Sequence, residues 1–419
     1  MKLFQQMLVA SASVGLIAPI AVQANDINIE GMNNYTSSRS SSKKQQFNSK
    51  TFINEVNDDI ATVNQLKAQE NGIEAGSFSD TTSLTGKATF SVGGVENSSG
   101  DLTEGITAQY MYQMNLNTSF TGDDDLYVRL KTGNATTPFN NKLMGTYLSS
   151  TNTYGDALKV DKIWYSFPVS DSITAWVGPK IENYYMHGAS PSIYQPVLKG
   201  FKLGGNGAAY GASTDSGFGL AYNAENGFSV SSNLVSDQNG SAAGFLTNEV
   251  DENWSTQIAY TKPNYHVSLM VALKYDGWAD SYYSTTNGAA RGTGVNSTNY
   301  GLRGYWRPDN SGTATPEISV GYDISSIDGA ASTVDETDAY FVGLTWKDLF
   351  QADDKIGLAF GQPQTREDET VDPFMWEAYY SFKVNDSVTM TPAIFGGSDV
   401  NGTANTDVSG AVIETTFKF

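Results

Sequence analysis

His266 and Ser268 stand two residues apart, a spacing that puts an imidazole base and a hydroxyl on the same face of an extended strand. A hydroxyl activated by an adjacent base is the start of covalent hydrolytic chemistry. The other parts of that chemistry do not follow: the chain has 2 histidines, the second being His187, and no Gly-x-Ser-x-Gly element. Asp123-Asp124-Asp125 offers three adjacent acids for a calcium ion, but without the alternate-ligand spacing of a calcium loop. Solvated turn acids are the expected role there, as for Asp353-Asp354 and Glu367-Asp368-Glu369. Zero cysteine excludes disulfides, zinc-cysteine sites and iron–sulfur clusters. No metal site or cofactor is therefore expected.

The charge balance narrows the classes further. Asp and Glu number 45 against 25 Lys and Arg, a net charge of −20 with a pI near 4.4, which excludes a nucleic-acid binder. The chain carries 12% aromatic residues and 41 Gly at a mean hydropathy of −0.33. A barrel that hides apolar residues at every second position has this composition.

The elements that must position these residues are strands. From Ile106 to Phe120 fifteen residues alternate, with Ile106, Ala108, Tyr110, Tyr112, Met114, Leu116, Thr118 and Phe120 on one face. A soluble strand averages about five or six residues, whereas one tilted through a bilayer needs about nine to eleven. Tyr265 to Tyr275 repeats the pattern, with His266, Ser268, Met270, Ala272 and Lys274 on the polar face. Sixteen such segments are predicted, near 85–95, 106–120, 126–132, 158–168, 173–180, 205–223, 228–235 and 254–262, then 265–275, 299–306, 317–324, 339–347, 355–360, 375–384, 387–395 and 407–419. The connections alternate between short and long, as periplasmic turns and external loops of an outer-membrane barrel do.

Before the strands, Met1 to Ala24 has the positive start, apolar core and small-residue cleavage site of a secretory signal peptide. Residues 25–50 are a polar linker on composition. Within 51–75, Ile53, Val56, Ile60 and Val63 recur at helical spacing, predicting a short amphipathic or coiled-coil helix, with the barrel spanning 77–419. Tyr165-Ser166-Phe167 ahead of Asp171-Ser172 is echoed by Tyr380-Ser381-Phe382 ahead of Asp386-Ser387, an aromatic band before a tight turn.

Several motifs in order carry a family likeness. They are Phe78–Gly86, Tyr165–Asp171, Thr298–Gly301 with Trp306-Arg307, Gly357–Pro363, Trp376–Tyr380, Thr389–Pro392 and the end Thr415-Thr416-Phe417-Lys418-Phe419. Over residues 53–419 the chain resembles the cyanobacterial members of the OprB-type carbohydrate-selective porins, including iron-uptake porins. The resemblance implies a 16-stranded antiparallel transmembrane barrel in the bacterial outer membrane, a homotrimer, and an N-terminal helix in the periplasm. Phe417 and Phe419 match the insertion signal read by the barrel assembly machinery. Family members usually carry an S-layer-homology domain before the coiled coil; here the polar residues 25–50 stand in that place.

Function in such a barrel rests on inward charges and a loop folded into the lumen. With Leu126, Val128 and Leu130 facing lipid, Arg129 and Lys131 point inward, and the same logic places Lys274, Arg303, Arg307, Asp323, Glu377, Glu414 and Lys418 inward. In general porins the third external loop forms the constriction. By that analogy Ile181–Gly204, with Glu182, His187, Lys199 and Lys202 among its tyrosines, is the candidate. The expected function is passive diffusion of small hydrophilic solutes and ions, with outer-membrane lipid as the surroundings. The alternatives are a carbohydrate- or iron-selective channel, a plugged structural barrel, and a hydrolase built on His266 and Ser268.

Overall fold

In the computed structural model, the described residues are 81–419, apart from 99–104, 238–243, 248–249, 280–281, 310–314 and 329–334. The expected signal peptide, linker and periplasmic helix lie outside them. Sixteen strands form one closed antiparallel barrel in which each pairs with its sequence neighbours and β1 pairs with β16. In chain order they are β1 Thr82–Asn97, β2 Thr107–Thr118, β3 Asp125–Gly133, β4 Lys159–Ser170, β5 Ile173–Glu182, β6 Thr214–Asn223, β7 Phe228–Ser236 and β8 Glu252–Thr261. The second half comprises β9 Tyr265–Tyr275, β10 Asn296–Trp306, β11 Glu317–Asp328, β12 Glu336–Lys347, β13 Lys355–Arg366, β14 Phe374–Asn385, β15 Val388–Ser398 and β16 Val408–Lys418.

Alternation explains why the sheet closes with its apolar face outward. On β9, Val267 and Leu269 are 50% and 43% exposed, while His266, Ser268, Met270 and Lys274 are at most 3% exposed. An apolar exterior over a polar interior is the pattern of a lipid-facing barrel, and closure leaves no edge with unpaired backbone groups. The last residue completes it: Gly86 and Phe419 exchange backbone hydrogen bonds of 2.8 and 3.1 Å. Outside the barrel, the Phe90 and Phe417 rings lie 5.3 Å apart, and Phe419 stacks on Tyr112 at 5.9 Å.

Several strands run further than their apolar alternation. β13 reaches Arg366 and β11 reaches Asp328, where polar residues continue the ladder at the long-loop end. The expected segment 205–223 is half correct, since the strand starts only at Thr214. Residues 205–213 are mostly Gly and Ala, too small to sustain an alternating face, and belong to the preceding loop.

Two of the turn acids, Asp124 and Asp354, are not the solvated carboxylates the sequence suggests, whereas Asp123, Asp353, Glu367 and Asp368 are exposed as expected. Asp124 is 6% exposed; its Oδ1 accepts from the backbone N–H of Phe120 and Thr121 and from Ser119 Oγ, and its Oδ2 from Tyr165 OH at 2.8 Å. Asp354 does the same in the β12–β13 turn, accepting from the N–H groups of Leu349, Phe350 and Gln351 and from Tyr380 OH at 2.9 Å. The sequence echo around Tyr165 and Tyr380 is thus one repeated device, an aromatic strand residue tying down the turn of the preceding hairpin.

Candidate functional site

The lumen is occupied by the β5–β6 connection, residues 183–213, which folds inward instead of standing outside. Asn183, Met186, Phe201, Ala209 and Tyr210 in it are fully buried. A buried loop with only two short 3-10 turns, Asn183–Met186 and Lys199–Gly204, must find partners for its remaining backbone groups, and here the barrel wall supplies them. Gln257 of β8 both donates to and accepts from the Ala189 backbone at 3.0 Å. Glu377 of β14 accepts from Tyr194 OH at 2.9 Å and from the N–H groups of Val197 and Leu198 at 3.2 and 2.7 Å. Arg303 of β10 donates to the carbonyls of Leu203 and Gly205, each at 2.8 Å, while paired with Asp323 of β11 at 2.8 Å. Gln364 of β13 accepts from Ala208 N–H at 3.0 Å.

A second loop joins it. The β3–β4 connection, residues 134–158, lies against the first through a bridge between Leu148 and Leu198, and Lys199 N–H donates to Tyr147 O at 2.8 Å. Phe139, Leu148, Tyr194, Leu198, Phe201 and Phe341 form part of one apolar cluster inside the barrel. Burial of such side chains contributes roughly 1.5–3 kcal/mol each, which holds the two loops as a fixed partition.

The remaining candidate residues fall into distinct settings. Arg129 of β3 is buried against Asp161 at 2.5 Å and donates to Tyr185 OH at 2.9 Å. Lys131 lies two residues on, half-buried, and Lys274 is buried in the β9 wall. Arg307, just past β10, shares Glu317 with Lys347, at 2.9 and 2.8 Å. Glu414 of β16 accepts from Ser91 at 3.4 Å and from Ser150 of the β3–β4 loop. Lys418 stands opposite Lys87 across the β1–β16 seam. Phe417 and Phe419 belong to the closure seam rather than to the lumen.

Of the four loop candidates, Glu182 is the last residue of β5, paired with Lys162 at 2.7 Å. His187 is 2% exposed, with Nδ1 facing Asn233 Nδ2 at 3.2 Å, and burial lowers its pKa to about 3. Lys199 sits where the loops meet, its Nζ 4.9 Å from the Tyr282 ring centroid; Lys142 Nζ lies 4.2 Å from the same centroid. Burial lowers the Lys199 pKa; Glu182 opposes this, Lys131, Lys162 and Arg129 add to it, and the result is about 8. Lys202 faces the other way, toward the short-turn end.

On that side lies a cavity of about 440 Å³. Its lysines are Lys87, Lys202, Lys347, Lys355, Lys383 and Lys418, six against the four acids Asp348, Asp353, Asp354 and Glu414. Tyr194 and Tyr379 contribute aromatic surface.

His266 and Ser268 do meet, with Nε2 and Oγ 2.9 Å apart. Nδ1 faces the Thr261 hydroxyl at 2.7 Å where a hydrolytic triad would have a carboxylate, and the ring stacks on Tyr305 at 4.8 Å. Ser268 is 2% exposed beneath Tyr210, so no substrate reaches it in this arrangement.

The roles of Gln257 and Gln364 are not legible in the sequence, nor is the inward course of the β3–β4 loop. An inward glutamine that grips a loop has the same alternation as one that faces water. The loop has neither repeat nor charge pattern to reveal its course.

A model of the carbohydrate-selective porin, OprB family, matches residues 54–395. An uncharacterized protein of Nostoc sp. is 26% identical over 410 residues, covering 85% of this chain and 68% of that protein. Among solved structures, the high-pH form of Pseudomonas putida OprB matches with a TM-score of 0.58 at 13% identity, over 81% of this chain and 94% of its own. The trimer form of Vibrio cholerae OmpT matches with a TM-score of 0.53 at 14% identity, over 81% and 99%.

Proposed function

The chain belongs to the OprB family of carbohydrate-selective porins and is an outer-membrane channel for passive diffusion of solutes; from that premise we propose that it is a narrow pore for small hydrophilic solutes, sugars and anions above all. The observation that carries this reading is the β5–β6 loop held across the lumen by Gln257, Glu377, Arg303 and Gln364. A loop with this many wall attachments sets a fixed aperture rather than a flexible lid.

The charges near the aperture support a preference for anions. Arg129 and Arg303 pair with Asp161 and Asp323, and Lys142 and Lys199 gather over the Tyr282 ring, where Glu182 favours the charged form of Lys199 and Lys131 disfavours it. Ammonium groups beside an aromatic face attract anions electrostatically and offer a sugar ring a stacking surface. A trimer is supported by the trimer form of the OmpT relative, and recognition by the barrel assembly machinery by the aromatic Phe417 and Phe419 at the closing seam. Hydrolysis at Ser268 is not favoured, because its hydroxyl is sealed beneath Tyr210. An iron-selective route finds no support either, since among the described residues no cluster of three or more histidine and carboxylate groups is placed to hold a metal ion.

Swelling of proteoliposomes in a graded series of neutral sugars tests the aperture. Monosaccharides should enter readily and trisaccharides should be excluded. Equal rates across the series would contradict a constriction at this loop.

A further inference from the structure

The β9–β10 connection crosses the long-loop end of the barrel. Resting on the pore reading above, we infer that residues 282–289 of this loop form a second, outer filter, a strap that sorts solutes by bulk before they reach the partition. Glu369 and Asn401 are its positioning residues. Three observations carry this.

The first is how the loop leaves the wall. Gly277 N–H donates to Val295 O at 2.8 Å and Gly294 N–H to Asp276 Oδ1 at 2.6 Å, so its two ends are tied into a narrow neck. Asp276, Gly277 and Gly294 take φ of 52°, 93° and 76°, which turns the chain sharply there. The body beyond the neck is seated by what it meets elsewhere.

The second is where that body lands. Thr285 N–H donates to Gln364 O at 2.9 Å and Gln364 N–H to Tyr283 O at 3.0 Å, a bridge to the end of β13. Thr285 Oγ1 donates to Glu369 of the β13–β14 loop. Asn401 Oδ1 of the β15–β16 loop accepts from the Thr286 N–H and hydroxyl at 2.6 and 2.9 Å. Since β15 stands well round the barrel from β10, this contact spans a chord of the mouth. Tyr283 packs on Phe201 at 5.5 Å and Tyr282 meets Tyr147 edge-on at 5.3 Å, which seats the strap on both inserted loops. Tyr283, Ser284 and Thr285 are at most 3% exposed, whereas Thr286 and Asn287 are open to solvent. Gly288 completes the fit, because a Cβ there would stand 2.0 Å from Gln364 O.

The third is composition. From Tyr282 to Ala290 the strap has no charged side chain, only aromatic, hydroxyl, amide and small groups. It obstructs by size and does not steer by charge. The two ends of the channel are therefore unequal. From the short-turn end a solute meets the cavity of about 440 Å³ and then the partition; from the long-loop end it meets the strap first.

The test is single-channel conductance of the full-length channel in KCl, with poly(ethylene glycol) of graded size added to one side at a time. Polymer that enters a mouth lowers the conductance, and polymer too large to enter does not. In the wild type the size cut-off should be smaller from one side than from the other. The double variant Glu369→Ala with Asn401→Gly should raise the smaller cut-off to match the larger and leave the larger unchanged. Glycine is chosen because Asn401 has φ 59°, which a Cβ disfavours. Gly288→Val lifts the strap from Gln364 without altering the other loops and should act in the same way. Asn401→Asp keeps the acceptor and should keep the asymmetry. Equal cut-offs in the wild type, or variants that leave the smaller cut-off in place, would overturn the strap while leaving the pore intact. Absence of any channel in KCl would overturn the pore reading itself.

Discussion

The backbone N–H of Leu198 donates to Glu377 Oε2 at 2.7 Å, joining the middle of the β5–β6 loop to the far wall of the barrel. The other oxygen of that carboxylate takes Tyr194 OH and Val197 N–H. One side chain thus satisfies three donors that would otherwise be buried without partners, each at a cost of about 1–3 kcal/mol. Glu377→Ala should release this stretch of loop. Proteoliposomes carrying the variant should admit disaccharides and trisaccharides faster than wild type, and limited proteolysis should cut near 194–198. Unchanged sugar exclusion would show that the loop is held without Glu377.

Lys199 gives the pore a pH signature. With its pKa lowered to about 8, it is charged below that pH and neutral above it, so anion preference should be strongest below pH 8 and fall as pH rises through about 8. Reversal potentials under a KCl gradient between pH 6 and 10 should show this step, and Lys199→Gln should abolish it. A step of the same size in the variant would assign it to another group.

The β2–β3 turn should respond to acid through Asp124. Burial alone would raise its pKa, but the Thr121 backbone and hydroxyl, Tyr165 and Ser119 donate to it and hold it below the ordinary 3.8. A depressed carboxylate contributes stability above the unfolded value and loses it as pH falls through the folded value. Asp124→Asn should therefore lower the unfolding temperature at pH 7 and narrow the gap to wild type below pH 3, read by the heat at which the folded band shifts in gel electrophoresis. A gap that does not change with pH would refute this role.

Barrel closure should depend on Gly86. A Cβ there would stand 2.5 Å from the Phe419 ring and 2.6 Å from the Gln113 carbonyl, contacts that real side chains do not make. Gly86→Val, and deletion of Phe419, should each reduce the heat-resistant folded fraction on refolding into detergent. Refolding at wild-type yield would show that the seam tolerates a looser end.

Much of this architecture is written in alternation. The sixteen strands and the outward Val267 and Leu269 follow from residue periodicity; the echo of Tyr165 and Tyr380 is visible too, but not that each hydroxyl reaches back to a buried acid of the preceding hairpin. The site is less legible, for a physical reason. Alternation tells which way Arg303 and Glu377 point but not what meets them, because their partners, Leu203 and Leu198, are about 100 and 179 residues away in a loop without periodicity. Inward charges that sequence reading assigns to the water-filled wall therefore include the groups that grip the loop. The lysine-lined cavity stayed hidden for the same reason, since Lys87, Lys202 and Lys418 line one space only once the barrel closes.

A water-filled pore narrowed by the inserted loop and biased toward anions is probed most sharply by single-channel recording with a KCl gradient. Stepwise openings with a reversal potential displaced toward the chloride equilibrium potential are expected at pH 7. A silent bilayer with verified insertion, or a reversal potential displaced toward potassium, would contradict such a pore.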